Sequence, residues 1–213
     1  MSTFVRAALA AIGLTLSACG SVSRLEHSGG HDFRAYRTIV IGTLGNKPAI
    51  AIPDDKRLAY DTQVGIASSR FAMYLERELR AYRMDVDVVR GEPRPGALFV
   101  EGDITRYANG NAALRLFFGF GAGSSYFDAF VRFRDTDSGD VVGTVLVDKN
   151  SWPIASGVAA FQTGDAEVLG AAKRVAEEIA FQRGAIARRG SHRLTHRPVG
   201  CGRGGPNCGK YER

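Results

Sequence analysis

Histidine and cysteine are missing from the part of this 213-residue chain that could form a folded core. All four histidines and all three cysteines lie outside residues 32–187. A core without these side chains lacks the commonest general base, any thiol nucleophile and the usual zinc ligands. Serine-hydrolase triads, cysteine-protease chemistry and histidine-rich metal sites are therefore excluded there, and we predict no metal and no cofactor.

A basic surface is also missing from most of the chain, although its net charge is +6. Residues 183–213 contain eight Lys and Arg against one acid, Glu212, so that segment alone carries +7 and the rest carries −1. Since the positive charge belongs to the end of the chain, the sequence does not predict a fold that binds nucleic acid.

The first 18 residues have the pattern of a signal peptide that is removed. Arg6 is followed by an apolar run over residues 7–16, and the run closes with a lipobox, LSAC, that ends at Cys19. In bacterial lipoproteins this cysteine is acylated, for instance with palmitate, and becomes the first residue. We predict a lipid anchor at Cys19, because two or more acyl chains hold a protein stably on a membrane. The alternative is an ordinary signal peptide with an incidental cysteine.

The residue after the cysteine bears on location. Enterobacterial lipoproteins with Asp at that place stay in the inner membrane, whereas this chain has Gly20. By that resemblance we predict a protein anchored on the periplasmic side of the outer membrane.

Composition divides the rest of the chain into three parts. We predict a lipidated tether over residues 19–33, a single domain over 34–188 and a basic disordered tail over 189–213. Within the tail, Cys201 and Cys208 are candidates for a disulfide in an oxidising periplasm. The tail is either a solvated extension or a contact for an acidic envelope polymer.

Hydrophobic periodicity predicts an α+β domain. The order of strand, helix, four strands and helix favours a two-layer sandwich, in which two helices cover one face of a mainly antiparallel sheet of about five strands. The predicted elements are a buried strand at Tyr36–Gly42, a loop at Leu44–Arg57, a helix at Thr62–Tyr82, a strand at Asp85–Val89, a hairpin within Leu98–Gly139, a strand at Val141–Asp148 and a helix at Asp165–Ala187 with Asp165 as N-cap.

The predicted hairpin has an unusual tip. Residues 112–125 combine three closely spaced glycines with the apolar side chains Leu116, Phe117, Phe118 and Phe120. The tip could pack over the sheet, form an apolar patch for a protein or a bilayer, or cradle a phosphate. The Lys-Ser/Thr ending of a phosphate loop is missing. We predict that the four apolar residues contact an envelope protein.

The first arm of the hairpin carries a pair of carboxylates, Glu101 and Asp103, on one strand face. Paired carboxylates are the catalytic groups of glycosidases, so one hypothesis is an envelope glycan-binding or glycan-hydrolysing domain. The opposing arm carries Arg132 and Arg134, which predicts cross-strand ion pairs instead.

With the lipobox, the strand YRTIVIG and the run VEGDITRYANGNAALRLFFGFGAGSS, the chain resembles the bacterial lipoproteins of the domain-of-unknown-function family DUF4410. The likeness covers about residues 36–187 and is most specific over 100–125, although Ser124 stands where the family commonly has a basic residue. The resemblance implies a location and an architecture, and it brings no catalytic residues. We therefore expect a non-enzymatic binding or assembly-accessory module of the cell envelope.

Overall fold

A computed structural model describes residues 25–27, 32–110, 125–150 and 163–187. These residues form six strands and two helices, and a short 3-10 helix at Phe33–Ala35 precedes the second strand. The elements are β1 (Glu26–His27), β2 (Thr38–Asn46), α1 (Asp54–Ala81), β3 (Asp87–Arg90), β4 (Leu98–Ala108), β5 (Tyr126–Asp135), β6 (Val141–Asn150) and α2 (Gly164–Gln182).

The strands form one sheet in the order β1-β6-β5-β4-β2-β3. The pairs β1–β6, β6–β5 and β5–β4 are antiparallel. Strand β2 pairs in parallel with both β4 and β3. The parallel pairing of β2 with β3 follows from α1, which returns the chain from the end of β2 to the start of β3. The predicted α+β class is confirmed, with β1 as a two-residue addition to five longer strands.

The predicted hairpin is confirmed in β4 and β5. Val100 lies opposite Phe133, and Glu101 lies opposite Arg132. Burial alternates along both strands, as expected for strands with one face in the core. The turn after β5 uses Gly139 at a φ of +79°, which a glycine adopts without a steric penalty.

Both helices pack on the same face of the sheet. Phe71 of α1 stacks on Phe127 of β5 with ring centroids 5.7 Å apart. Phe33 packs edge-on against Phe133 at 5.6 Å. All four rings are buried, so aromatic contacts join α1 and the 3-10 helix to the centre of the sheet, and α2 packs on the same core through aliphatic side chains such as Val175 and Ile179.

A buried serine joins α1 to an irregularity in β2. The register between β2 and β4 shifts between Ile41 and Leu44. The Leu44 N–H donates to Ser68 Oγ at 2.8 Å, and the Ser68 hydroxyl donates to the Leu44 carbonyl at 2.9 Å. One side chain therefore satisfies both polar groups of a buried residue.

Helix α1 begins at Asp54, eight residues before the predicted start at Thr62, and β2 continues to Asn46, so the predicted loop over Leu44–Arg57 is wrong at both ends. The first buried residue of α1 is Val64. In the preceding turns only Tyr60 is partly buried against the core, so they show little apolar periodicity. Asp54 and Asp55 stabilise this start electrostatically, because acidic side chains favour helix N-termini.

Helix α2 also differs from its prediction at both ends. Its N-cap is Thr163, whose hydroxyl accepts from the Ala166 N–H, so the assignment of Asp165 as N-cap is wrong. The helix ends at Gln182 because Gly184 has a φ of +71° and its N–H donates to the Phe181 carbonyl. Among the helices of the described ranges, none has the length and apolarity that crossing a membrane requires.

The stretch predicted as a tether contains parts of the fold. Glu26 and His27 pair with Thr144 and Gly143 of β6, and Leu25 is buried. Phe33 is also buried. The prediction of a tether is therefore wrong at Leu25–His27 and at Phe33. The apolar side chains of Leu25 and Phe33 are buried in the core because their removal from water is favourable.

Candidate functional site

The face of the sheet opposite the helices carries a band of charged side chains. Their positions follow from strand alternation, since their neighbours in β4, β5 and β6 point into the core. We define the charged sheet face as Glu101, Asp103, Arg106, Asp128, Arg132, Arg134 and Asp148.

The two carboxylates predicted as a catalytic pair lie on this face and are bound by arginines from β5. Arg132 Nη2 is 3.0 Å from Asp103 Oδ2, and Arg132 Nε is 3.7 Å from Glu101 Oε1. Arg134 also donates to Glu101 Oε1. The predicted cross-strand ion pairs are confirmed.

These ion pairs limit what the carboxylates can do. A glycosidase needs one carboxyl group that gives up a proton and another that attacks the sugar or activates water. Here Arg132 contacts both carboxylates, and Arg134 adds a second cation at Glu101. The side chains of Glu101 and Asp103 are 18% and 23% exposed. The arrangement is that of a salt-bridged ladder across two strands, which stabilises their pairing.

A second cluster on the same face contains an arginine and two facing carboxylates. Arg106 Nε is 2.6 Å from Asp128 Oδ2, and its guanidinium lies 4.3 Å from the ring centroid of Tyr126. Asp148 lies directly opposite Asp128 in the register of β5 and β6. Burial raises the pKa of the Asp128 carboxyl, Arg106 opposes this rise, and Asp148 adds to it.

Apolar side chains are interspersed with these charges. Leu146 of β6 is 54% exposed and lies opposite Phe130 of β5. The guanidinium of Arg132 lies 5.7 Å from the Phe130 ring centroid. Aromatic and arginine side chains together are typical of protein-binding surfaces. The charged sheet face can therefore serve as a binding surface.

Most of the residues predicted to function lie outside the described residues. These are Cys19, Leu116, Phe117, Phe118, Phe120, Cys201 and Cys208. Within the described ranges no group of three or more metal-ligating side chains comes together.

The cluster of Arg106, Asp128 and Asp148 was not predicted from the sequence. Only the register between β4, β5 and β6 would have predicted that these three side chains lie together. The register of β4 and β5 shifts between Ile104 and Arg106, and this shift turns Arg106 toward Asp128. Alternation alone could not have placed it there.

The fold and this face define the class of protein: an α+β domain with helices on one sheet face and paired charges on the other. The family model described as Domain of unknown function (DUF4410) matches residues 52–155. The resemblance to this domain family that the sequence shows is thereby confirmed over those residues.

Several solved structures match this chain at low sequence identity. The PelC dodecamer from Paraburkholderia phytofirmans is 13% identical, with 75% of this chain and 96% of that chain covered and a TM-score of 0.47. A DUF330 protein from Xanthomonas campestris is 10% identical, with 78% and 93% covered and a TM-score of 0.35. A protein described as a neuraminyllactose-binding hemagglutinin homolog from Helicobacter pylori has the same identity and coverage and a TM-score of 0.30. No curated protein matches the sequence.

Proposed function

We propose that this protein is a non-enzymatic binding or assembly-accessory module of the bacterial cell envelope. Cys19 is acylated and holds the chain on the periplasmic side of the outer membrane. The domain contacts an envelope protein through Leu116, Phe117, Phe118 and Phe120, and the basic tail adds a contact to an acidic envelope polymer.

The observation that carries the proposal is the pairing of Glu101 and Asp103 with Arg132 and Arg134. These carboxylates were the best candidates for catalysis in the sequence, and their neighbours are those of a structural ion-pair ladder. The alternative of a glycan hydrolase gains no support from this geometry. Glycan cleavage by the purified protein that Glu101→Gln abolishes would contradict the proposal.

A photo-crosslinking residue at Phe120 tests the contact with a partner. It is introduced into the full-length, lipidated protein, and living cells are irradiated. We expect an adduct with one particular envelope protein.

The matched control carries the same residue at Met73, an exposed apolar position on α1. Crosslinks at Phe120 that form only within the chain would show that the apolar tip is core. The same set of adducts at Phe120 and at Met73 would indicate random collision. Either result would remove the proposed contact.

A further inference from the structure

Several features of the domain lie together at one end of the sheet, which we call the tip end. There β4 ends at Ala108, β5 begins at Tyr126 and β6 ends at Asn150. Because β2 runs parallel to β4, its last residue Asn46 also lies there, and α1 starts from that end at Asp54.

Strand β1 shows from which end the chain enters the domain. Glu26 lies opposite Thr144, and His27 lies opposite Gly143. Moving from His27 to Glu26 therefore means moving along β6 toward Asn150. A chain that continued this direction before Leu25 would run toward the tip end. Leu25 itself packs over Gly143, where a Cβ atom would come within 3.2 Å of its Cγ.

The chain before β1 is too short to hold the domain far from its anchor. Cys19 is seven residues before Glu26, and seven extended residues span at most about 25 Å. Thr144 is six residues before Asn150, and six antiparallel strand residues span about 20 Å. An extended chain that continues the direction of β1 therefore reaches only about 5 Å past the tip end. A lipid on Cys19 would bring this end against the membrane.

The tip end presents apolar side chains to solvent. Ile50, in the connection between β2 and α1, is 66% exposed, and Leu58, in the second turn of α1, is 82% exposed. The charged residues beside them are three cations, Lys47, Lys56 and Arg57, and two anions, Asp54 and Asp55. Exposed aliphatic side chains beside Lys and Arg suit the interfacial layer of a lipid bilayer.

We infer that the exposed side chains of Ile50 and Leu58 at the tip end contact the lipid bilayer. This inference rests on the proposed acylation of Cys19. It goes beyond that proposal because it orients the domain: the sheet stands with its tip end on the membrane, and the turn around Gly139 points away from it.

Helix α1 offers three positions at increasing distances from the tip end for the test. Leu58, Ile66 and Met73 are all exposed apolar residues of this helix. Ile66 and Met73 follow Leu58 by eight and 15 residues, which correspond to about 12 and 22 Å along a helix. The three positions therefore share chemistry and exposure and differ in their distance from the tip end.

The experiment uses the full-length, lipidated protein in vesicles of phosphatidylethanolamine and phosphatidylglycerol. A nitroxide label is attached to L58C, I66C or M73C in a background of C201S and C208S, and its accessibility to oxygen and to a water-soluble nickel chelate is measured. We expect the ratio of oxygen to nickel accessibility to be highest at position 58 and to fall through 66 to 73. Insertion of 12 Gly and Ser residues after Gly20 should reduce these differences.

The outcomes separate this inference from the proposed anchoring. If the protein fails to float with the vesicles, the acylation of Cys19 is wrong, and the inference falls with it. If the protein floats but all three labels are equally accessible to nickel, the anchoring stands and the inferred orientation is wrong. If the label at position 58 is shielded from both reagents, the tip end contacts protein and not lipid, which also overturns the inference.

Discussion

The two faces of the sheet are made by the same strands and differ in the interactions of their side chains. On the helix-covered face, Phe71, Phe127 and Phe133 are buried by the helices and the 3-10 helix. On the charged sheet face, the ion pairs of Glu101 and Arg132 are partly accessible to water. Burial of apolar area supplies most of the stability of a domain, whereas partly exposed ion pairs contribute little. The first face should therefore stabilise the domain, and the second is available for binding.

The largest expected effect tests this difference directly. Phe71→Ala removes the ring that stacks on Phe127 and leaves a cavity, which should lower the free energy of unfolding by about 3–5 kcal/mol. The matched variant Phe130→Ala removes the same ring from the charged sheet face and should cost about 1 kcal/mol or less. Urea denaturation of the purified proteins measures both changes. Equal losses of unfolding free energy in Phe71→Ala and Phe130→Ala would show that the two faces contribute equally to stability.

A smaller effect is expected at the serine that joins α1 to β2. Ser68→Ala leaves the buried N–H and carbonyl of Leu44 without this partner, which should cost about 1–3 kcal/mol. Ser69→Ala is the control, because that hydroxyl is exposed and donates only to the Gly65 carbonyl of the same helix. Denaturation midpoints compare the two variants. If Ser68→Ala lowers the stability no more than Ser69→Ala does, the irregularity in β2 does not depend on the Ser68 hydroxyl.

The smallest effect concerns the charged sheet face and depends on pH. Because the pKa of Asp128 is raised in the folded protein, the folded state binds this proton more tightly than the unfolded state. The corresponding stability is present at low pH and is lost as the pH rises above about 4 and through the folded pKa, with a slope of at most about 1.4 kcal/mol per pH unit for one proton. Asp128→Asn should remove this slope.

Thermal denaturation between pH 4 and pH 7 measures that slope. Asp148→Asn should reduce it, since the facing carboxylate contributes to the raised pKa. Asp140→Asn, which changes an exposed carboxylate in the turn before β6, serves as the control. An unchanged slope in Asp128→Asn would show that the Asp128 carboxyl is not the source of this pH dependence.

Local patterns predicted much of the fold because burial repeats with the period of each element. The alternation of Val100 with Glu101 predicted both the core side and the outer side of β4, and the arginines at 132 and 134 were expected opposite the carboxylates. The start of α1 escaped prediction because its first turns contain no fully buried residue before Val64. The capping role of Thr163 was missed because Thr and Asp are both common N-cap residues. The carboxylate of Asp165 instead accepts a hydrogen bond from the Tyr74 hydroxyl of α1.

The sequence by itself determined the absence of histidine and cysteine from residues 32–187 and the mainly antiparallel α+β plan, and it is the source of the prediction of a lipobox at Cys19. These follow from composition and from local periodicity, which need no knowledge of distant contacts. Only the tertiary structure decided that Leu25–His27 add to the edge of the sheet and that Arg106 meets Asp128. Both depend on the register between strands, and register is set by packing across the whole sheet rather than by the residues of any one strand.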